Sequence, residues 1–151
     1  MAKLERKLYQ ILKQSNTDIL LDRIENWAVP GVPDLLCFNK NKIFFTLELK
    51  ATIGNKVRLS PHQVSWHLRH DQRALILVAR FSDRGKKATV AKIQHRGGLS
   101  AGGPTHFFLY KSSQIMDLVS RGLKTKPVVG GLRIDEIIKY LSGLGAKAPS
   151  P

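Results

Sequence analysis

The chain has 151 residues, the usual size of one domain and enough to bury a core without disulfides or structural metals. Its 25 Lys and Arg against 11 Asp and Glu leave a net charge of +14, which argues for a polyanionic partner, nucleic acid first, because each phosphate neutralised by Lys or Arg releases condensed counterions. The only cysteine, Cys37, excludes a disulfide framework and a cysteine-based zinc site, and no signal peptide or run of eighteen apolar residues is found, so a soluble, cytoplasmic protein is expected.

From the N-terminus, Leu4, Leu8, Ile11 and Leu12 recur at helical spacing and predict an amphipathic helix over the first fourteen residues, with Lys and Arg on its other face. Residues from Ile19 to about Asn26 read as a short strand. Pro30, Gly31 and Pro33 then impose a turn before Asp34. Strands are predicted over Asp34 to Phe38 and Ile43 to Ala51, joined through Asn39-Lys40-Asn41-Lys42 as a hairpin. Ser60-Pro61-His62-Gln63 supplies a capping serine, a proline at the first helical position and a capping-box glutamine, so a helix is expected to run to about Arg69. Ala74 to Phe81 reads as a buried strand. Ala88 to Ile93 and His106 to Tyr110 are further strand candidates flanking the loop RGGLSAGGPT, which lacks the Lys-Ser/Thr ending of a phosphate-binding loop. Helices are expected near Ser113 to Ser120 and from Ile134 to about Leu141, with Gly130-Gly131 as a hinge or turn between them and a disordered tail from residue 144. The order of elements predicts one α/β domain over residues 1–143, a mixed central sheet flanked by helices.

Alternation along the second hairpin strand puts Phe45, Leu47 and Leu49 on a core face and Thr46, Glu48 and Lys50 on the other. If the hairpin brings Asp34 to the end of that strand, two carboxylates and an ammonium converge. Two carboxylates that close repel unless a cation lies between them, and oxygen ligands suit Mg²⁺ or Mn²⁺ rather than zinc. Such an ion polarises a phosphodiester and lowers the pKa of a bound water, while Lys50 steadies the attacking hydroxide or the charge developing on phosphate.

Pro33-Asp34, thirteen intervening residues and Glu48-Leu49-Lys50 resemble the PD-(D/E)xK nuclease signature. With "GVPDLL" and the downstream "SPHQVSWHLRH", roughly residues 1–82 resemble the virus-type replication and repair nuclease (VRR-NUC) modules and the related Holliday-junction resolvases. The resemblance implies an αβββαβ restriction-endonuclease-like core. It also implies that Asp34 and Glu48 ligate Mg²⁺ or Mn²⁺ with the carbonyl of Leu49, that Lys50 assists the nucleophilic water, and that Gln63 lies beside the site. Glu5 matches the acidic residue that many members contribute from the first helix as a further metal ligand, although Asp22 or Glu25 also stands as a candidate.

Each of these residues has a plainer reading. Asp34 suits a turn after proline, Glu48 and Lys50 suit a solvated edge, and the capping box explains Gln63 without chemistry. His67 and His70 have the i, i+3 spacing of a metal-binding pair, but without cysteine or an obvious third ligand His62, His67 and His70 read as groove-lining donors to phosphate or as surface, and Trp66 as core packing or a stacking partner for a base. Lys56, Arg58, Arg69, Arg73, Arg80, Arg84, Lys86 and Lys87 are the basic residues nearest in sequence, and Arg96 is available to touch backbone.

The expected function is a Mg²⁺-dependent DNA endonuclease that hydrolyses phosphodiesters without a nucleotide cofactor, and the resemblance implies that it leaves 5′-phosphate ends. Branched DNA, a junction or a flap, is the expected substrate. One site on so small a chain implies a homodimer for cutting two strands, and the resemblance leans towards a phage or viral source. Two alternatives stand: a sequence-specific homing or restriction-type enzyme reading bases from about Gly122 onwards, and a basic nucleic-acid-binding module without catalysis. RNA stays open as a substrate, since nothing recognisable reads a 2′-hydroxyl.

Overall fold

In the computed structural model, which describes residues 1–16, 18–25, 28–82 and 103–147, the chain forms a six-stranded mixed sheet with helices on both faces. The elements are α1 (Lys3–Ser15), β1 (Leu20–Arg23), β2 (Leu35–Phe38), β3 (Phe44–Thr52), α2 (Pro61–Arg69), β4 (Ala74–Phe81) and β5 (Pro104–Lys111). A 3₁₀ turn (Ser112–Gln114) leads into α3 (Ile115–Arg121), a second 3₁₀ turn (Gly122–Lys124) follows, and β6 (Val129–Gly131) and α4 (Ile134–Gly143) complete the described chain. The strands lie side by side in chain order. All neighbours are antiparallel except β3 and β4, which are parallel because α2 carries the chain back between them.

β4 explains why ALILVARF is apolar without alternation. Leu75, Leu77 and Ala79 point into one cluster with Leu8 and Leu12 of α1, Leu35, Phe45 and Leu47 of the hairpin, and Ile137 and Leu141 of α4. Ile76 and Val78 point the other way, onto Val57, Tyr110, Ile115 and Leu118. A central strand covered on both faces has no solvent side on which to place polar residues.

The β2–β3 hairpin is closed by Asn39, whose Oδ1 accepts from the N–H groups of Asn41 and Ile43 at 3.0 and 3.2 Å. Its Nδ2 donates to the carbonyls of Leu141 and Leu144, both at 2.9 Å, so one buried amide ties the hairpin tip to the end of α4. Leu144, at the head of the stretch expected to be disordered, is therefore a fixed acceptor; residues 148–151 lie outside the described residues.

Several expectations need correction. Gly130-Gly131 is no hinge: the pair belongs to β6, an edge strand against β5, where Phe107 lies opposite Gly131. The β5 strand starts at Pro104, so the end of the glycine loop is already extended sheet. The helix expected from Ser113 starts as a 3₁₀ turn and becomes α-helical at Ile115. The strand expected over Ala88 to Ile93, most of the loop before β5, and Arg84, Lys86, Lys87 and Arg96 lie outside the described residues. Among the described residues, no helix is long and apolar enough to cross a membrane.

Candidate active site

Asp34 and Glu48 meet because of the hairpin register. Leu35 lies opposite Leu47, so Asp34, one residue before β2, falls opposite Glu48. Asp34 Oδ2 accepts from the Leu49 N–H at 2.8 Å, and Pro33, which the register sets opposite Leu49, has no N–H to donate to the Leu49 carbonyl. A strand residue directs its N–H and C=O to the same side, so the Leu49 carbonyl is aimed towards Asp34 as well.

The turn ahead of Asp34 is held against α2. Gly31 has φ +89°, and a Cβ there would stand 2.3 Å from the carbonyl oxygen of His62. Only glycine combines that backbone conformation with that approach. The contact sets the Pro-Asp turn beside the first turn of α2, which carries Gln63.

Gln63 both closes the capping box of α2 and reaches Glu48. Its N–H donates to Ser60 Oγ at 3.2 Å and its Oε1 accepts from the Ser60 N–H at 3.0 Å, completing the capping box. Its Nε2, left free by the cap, donates to Glu48 Oε1 at 2.5 Å. The cap thus holds the amide in the orientation that reaches the carboxylate.

Glu48 is 1% exposed. Oε1 takes the Gln63 amide and stands 3.4 Å from Lys50 Nζ, whereas Oε2 is buried with no hydrogen-bond partner. Burial pushes the Glu48 carboxyl up to about 8, with the Asp34 charge adding to the shift and Lys50 opposing it. Asp34 is also raised, by burial first, against the pull of the Leu49 N–H; Glu5 adds to the rise and Lys50 opposes it. One ammonium near a buried carboxylate and a half-buried one does not compensate for lost water, so the pair favours sharing a proton or a cation.

Glu5, in the first turn of α1, sends Oε1 to within 3.9 Å of Lys50 Nζ and accepts the Ala2 N–H on Oε2 at 3.1 Å. It is thus the acidic residue that reaches this cluster. Glu25 pairs with Arg23 at 3.4 Å instead, and Asp22 is exposed on β1. Among the described residues no group of three or more His, Cys, Asp or Glu side chains is gathered to hold a metal. The donors fit an oxygen-seeking cation on a narrower basis: the unpartnered Glu48 Oε2, the Asp34 carboxylate beside it and the Leu49 carbonyl.

The histidine expectation fails for His67. It is fully buried, neither groove-lining nor surface, with Nδ1 2.5 Å from Ser112 Oγ and Nε2 unpartnered. Burial lowers its pKa to about 4, with His70 and Lys50 adding to the effect, so the ring is neutral. Ser112 lies 45 residues away, and nothing in the sequence marks the pair. His62 and His70 are exposed. Trp66 is half-buried, its ring stacked on His70. Lys56, Arg58, Arg69 and Arg73 are exposed, whereas Arg80 is partly covered.

No family model matches the chain, and no curated protein matches it.

Proposed function

We propose that the protein is a Mg²⁺-dependent endonuclease that hydrolyses phosphodiester bonds in DNA, selects branched structures such as junctions or flaps, and acts as a homodimer. The observation that carries this reading is the buried, unpartnered Oε2 of Glu48, set opposite Asp34 and beside Lys50. A purely structural carboxylate at such depth is ordinarily paired on both oxygens. The order α1-β1-β2-β3-α2-β4, with an antiparallel hairpin followed by a helical crossover to a parallel strand, supports assignment to the restriction-endonuclease-like core and to the PD-(D/E)xK nucleases.

In this reading Asp34, Glu48 and the Leu49 carbonyl hold Mg²⁺, which supplies Lewis-acid polarisation of the phosphodiester and a lowered pKa for water. Gln63 fixes the Glu48 carboxylate in one rotamer through Oε1 and leaves Oε2 to the cation. Lys50 presents an ammonium to the same carboxylate and to Glu5, a position from which it offsets negative charge developing on phosphate. The excess of basic residues supplies the sequence-independent attraction to the DNA backbone.

The test is cleavage of labelled linear duplex, flap and four-way-junction DNA in Mg²⁺ and in EDTA, with Glu48→Ala and Lys50→Ala beside the native chain. Metal-dependent cutting of junctions or flaps, lost by at least a hundredfold in both variants while DNA binding survives, is the expected outcome (about 2.7 kcal/mol of transition-state stabilisation or more). Cutting at one sequence of a linear duplex moves the reading to a homing or restriction-type enzyme. No cutting of any DNA, with binding equal in all three proteins, leaves a binding module and sinks the nuclease.

A further inference from the structure

The exposed end of α2 carries an aromatic stack that the proposed chemistry does not use. Gln63, Trp66 and His70 follow one another at helical spacing, so they form a stripe that starts at Glu48 and runs away from it. The Trp66 and His70 rings are parallel to within 10°, with centroids 4.0 Å apart. Both planes are held: Trp66 meets His67 edge-on at 5.2 Å, and His70 Nδ1 lies 2.8 Å from the Trp66 carbonyl oxygen. A tryptophan used only for packing is covered by core side chains. Here its ring is faced by an exposed imidazole instead.

We propose that the Trp66–His70 stack is a platform on which an unpaired nucleobase of the substrate stacks. This deepens the nuclease reading and rests on it. At 1.5 Å per residue His70 stands roughly 10 Å along α2 from Gln63, about three stacked-base steps from the candidate site. Arg69, Arg73 and Lys111 are exposed around this end of the sheet, where Lys111 lies opposite Leu75, and the acidic residue of the connecting loop is Asp71. That balance suits a phosphate backbone. It disfavours a second copy, because two-fold pairing would set the arginines against their own kind, and two rings supply far less than the roughly 800 Å² per partner of a standard interface. Bases inside a duplex are already stacked on their neighbours. The partner must therefore offer a free π-face: a flap, an open junction centre or a single-stranded end.

The experiment uses Trp66 as the sole tryptophan, in a Trp27→Phe background. Its fluorescence is followed in EDTA during titration with a short thymidine oligonucleotide and, separately, a blunt duplex, for the parent, His70→Ala and His70→Phe. Saturable quenching by the single strand and not the duplex is expected, with affinity weakened roughly ten-fold in His70→Ala and restored in His70→Phe. Equal quenching by the duplex, or an unchanged affinity in His70→Ala, overturns the platform. So does a change in sedimentation between parent and His70→Ala, which would assign the stack to contact between copies. Cleavage in Mg²⁺, run in parallel, separates the two readings: cutting without quenching removes the platform and keeps the nuclease, and quenching without cutting does the reverse.

Discussion

A carboxylate as buried as Glu48 ordinarily has both oxygens satisfied, and the charge of a bare one costs several kcal/mol in a poorly solvated place. Glu48 keeps one oxygen on Gln63 and Lys50 and leaves the other without a partner, so its proton is held up to about 8. The folded pKa is raised above the ordinary value of 4.5, so this group's contribution to stability is fully present below 4.5 and is lost as pH rises through about 8. Glu48→Gln, which cannot ionise, is expected to melt higher than the native chain at pH 8 in EDTA and equally at pH 4, by calorimetry, while cleavage is abolished. A melting difference independent of pH would mean that Glu48 is not the group that titrates. His67 acts in the opposite sense. Its folded pKa, lowered to about 4 from 6.5, gives stability that is present above 6.5 and lost as pH falls through about 4.

Among the elements, the hairpin and α2 decide whether these groups meet. The hairpin register is strongly specified, because a slip by one residue would turn Phe45, Leu47 and Leu49 away from the cluster they share with α1 and α4 and point Glu48 into that apolar cluster. The approach of α2 depends on Gly31. Replacing it with Ala places a Cβ against the His62 carbonyl and forces a left-handed residue to carry a side chain. Gly31→Ala is expected to cost about 2 kcal/mol or more in denaturant unfolding and to lower cleavage further, because the Pro-Asp turn must draw back from Gln63. An activity loss no larger than that of a Gly54→Ala control, where a Cβ meets open space, would refute this account.

For the molecule as a whole, +14 on 151 residues is a statement about partners rather than fold. DNA binding in EDTA is expected to weaken steeply with salt, the logarithm of the association constant falling by about 0.9 for each phosphate contacted per unit of log salt. A slope near zero would remove the polyanion from the argument. The helices α1 and α4 on one face and α2 and α3 on the other leave the candidate site at the rim, where the Pro-Asp turn, the middle of β3 and the start of α2 converge. The surface basic residues around α2 are free to bind phosphate without entering the core.

Much of this was legible in the chain itself. Apolar periodicity placed the opening helix, a polar turn between two strand-like runs placed the hairpin, the capping residues placed the start of α2, and an unbroken apolar run placed β4, all of them signals written locally in the chain. The grouping of Asp34, Glu48 and Lys50 followed from hairpin alternation, a local rule. What only the tertiary structure decided involves partners distant in sequence: that His67 is buried on Ser112, that Glu5 rather than Asp22 or Glu25 reaches Lys50, and that Gly130-Gly131 is sheet edge rather than hinge. It also showed that Gln63 caps its helix and grips Glu48 at once, two roles that sequence sets as rivals. Such contacts depend on how elements pack in three dimensions, and a one-dimensional pattern records which face is apolar but not which residue stands opposite it.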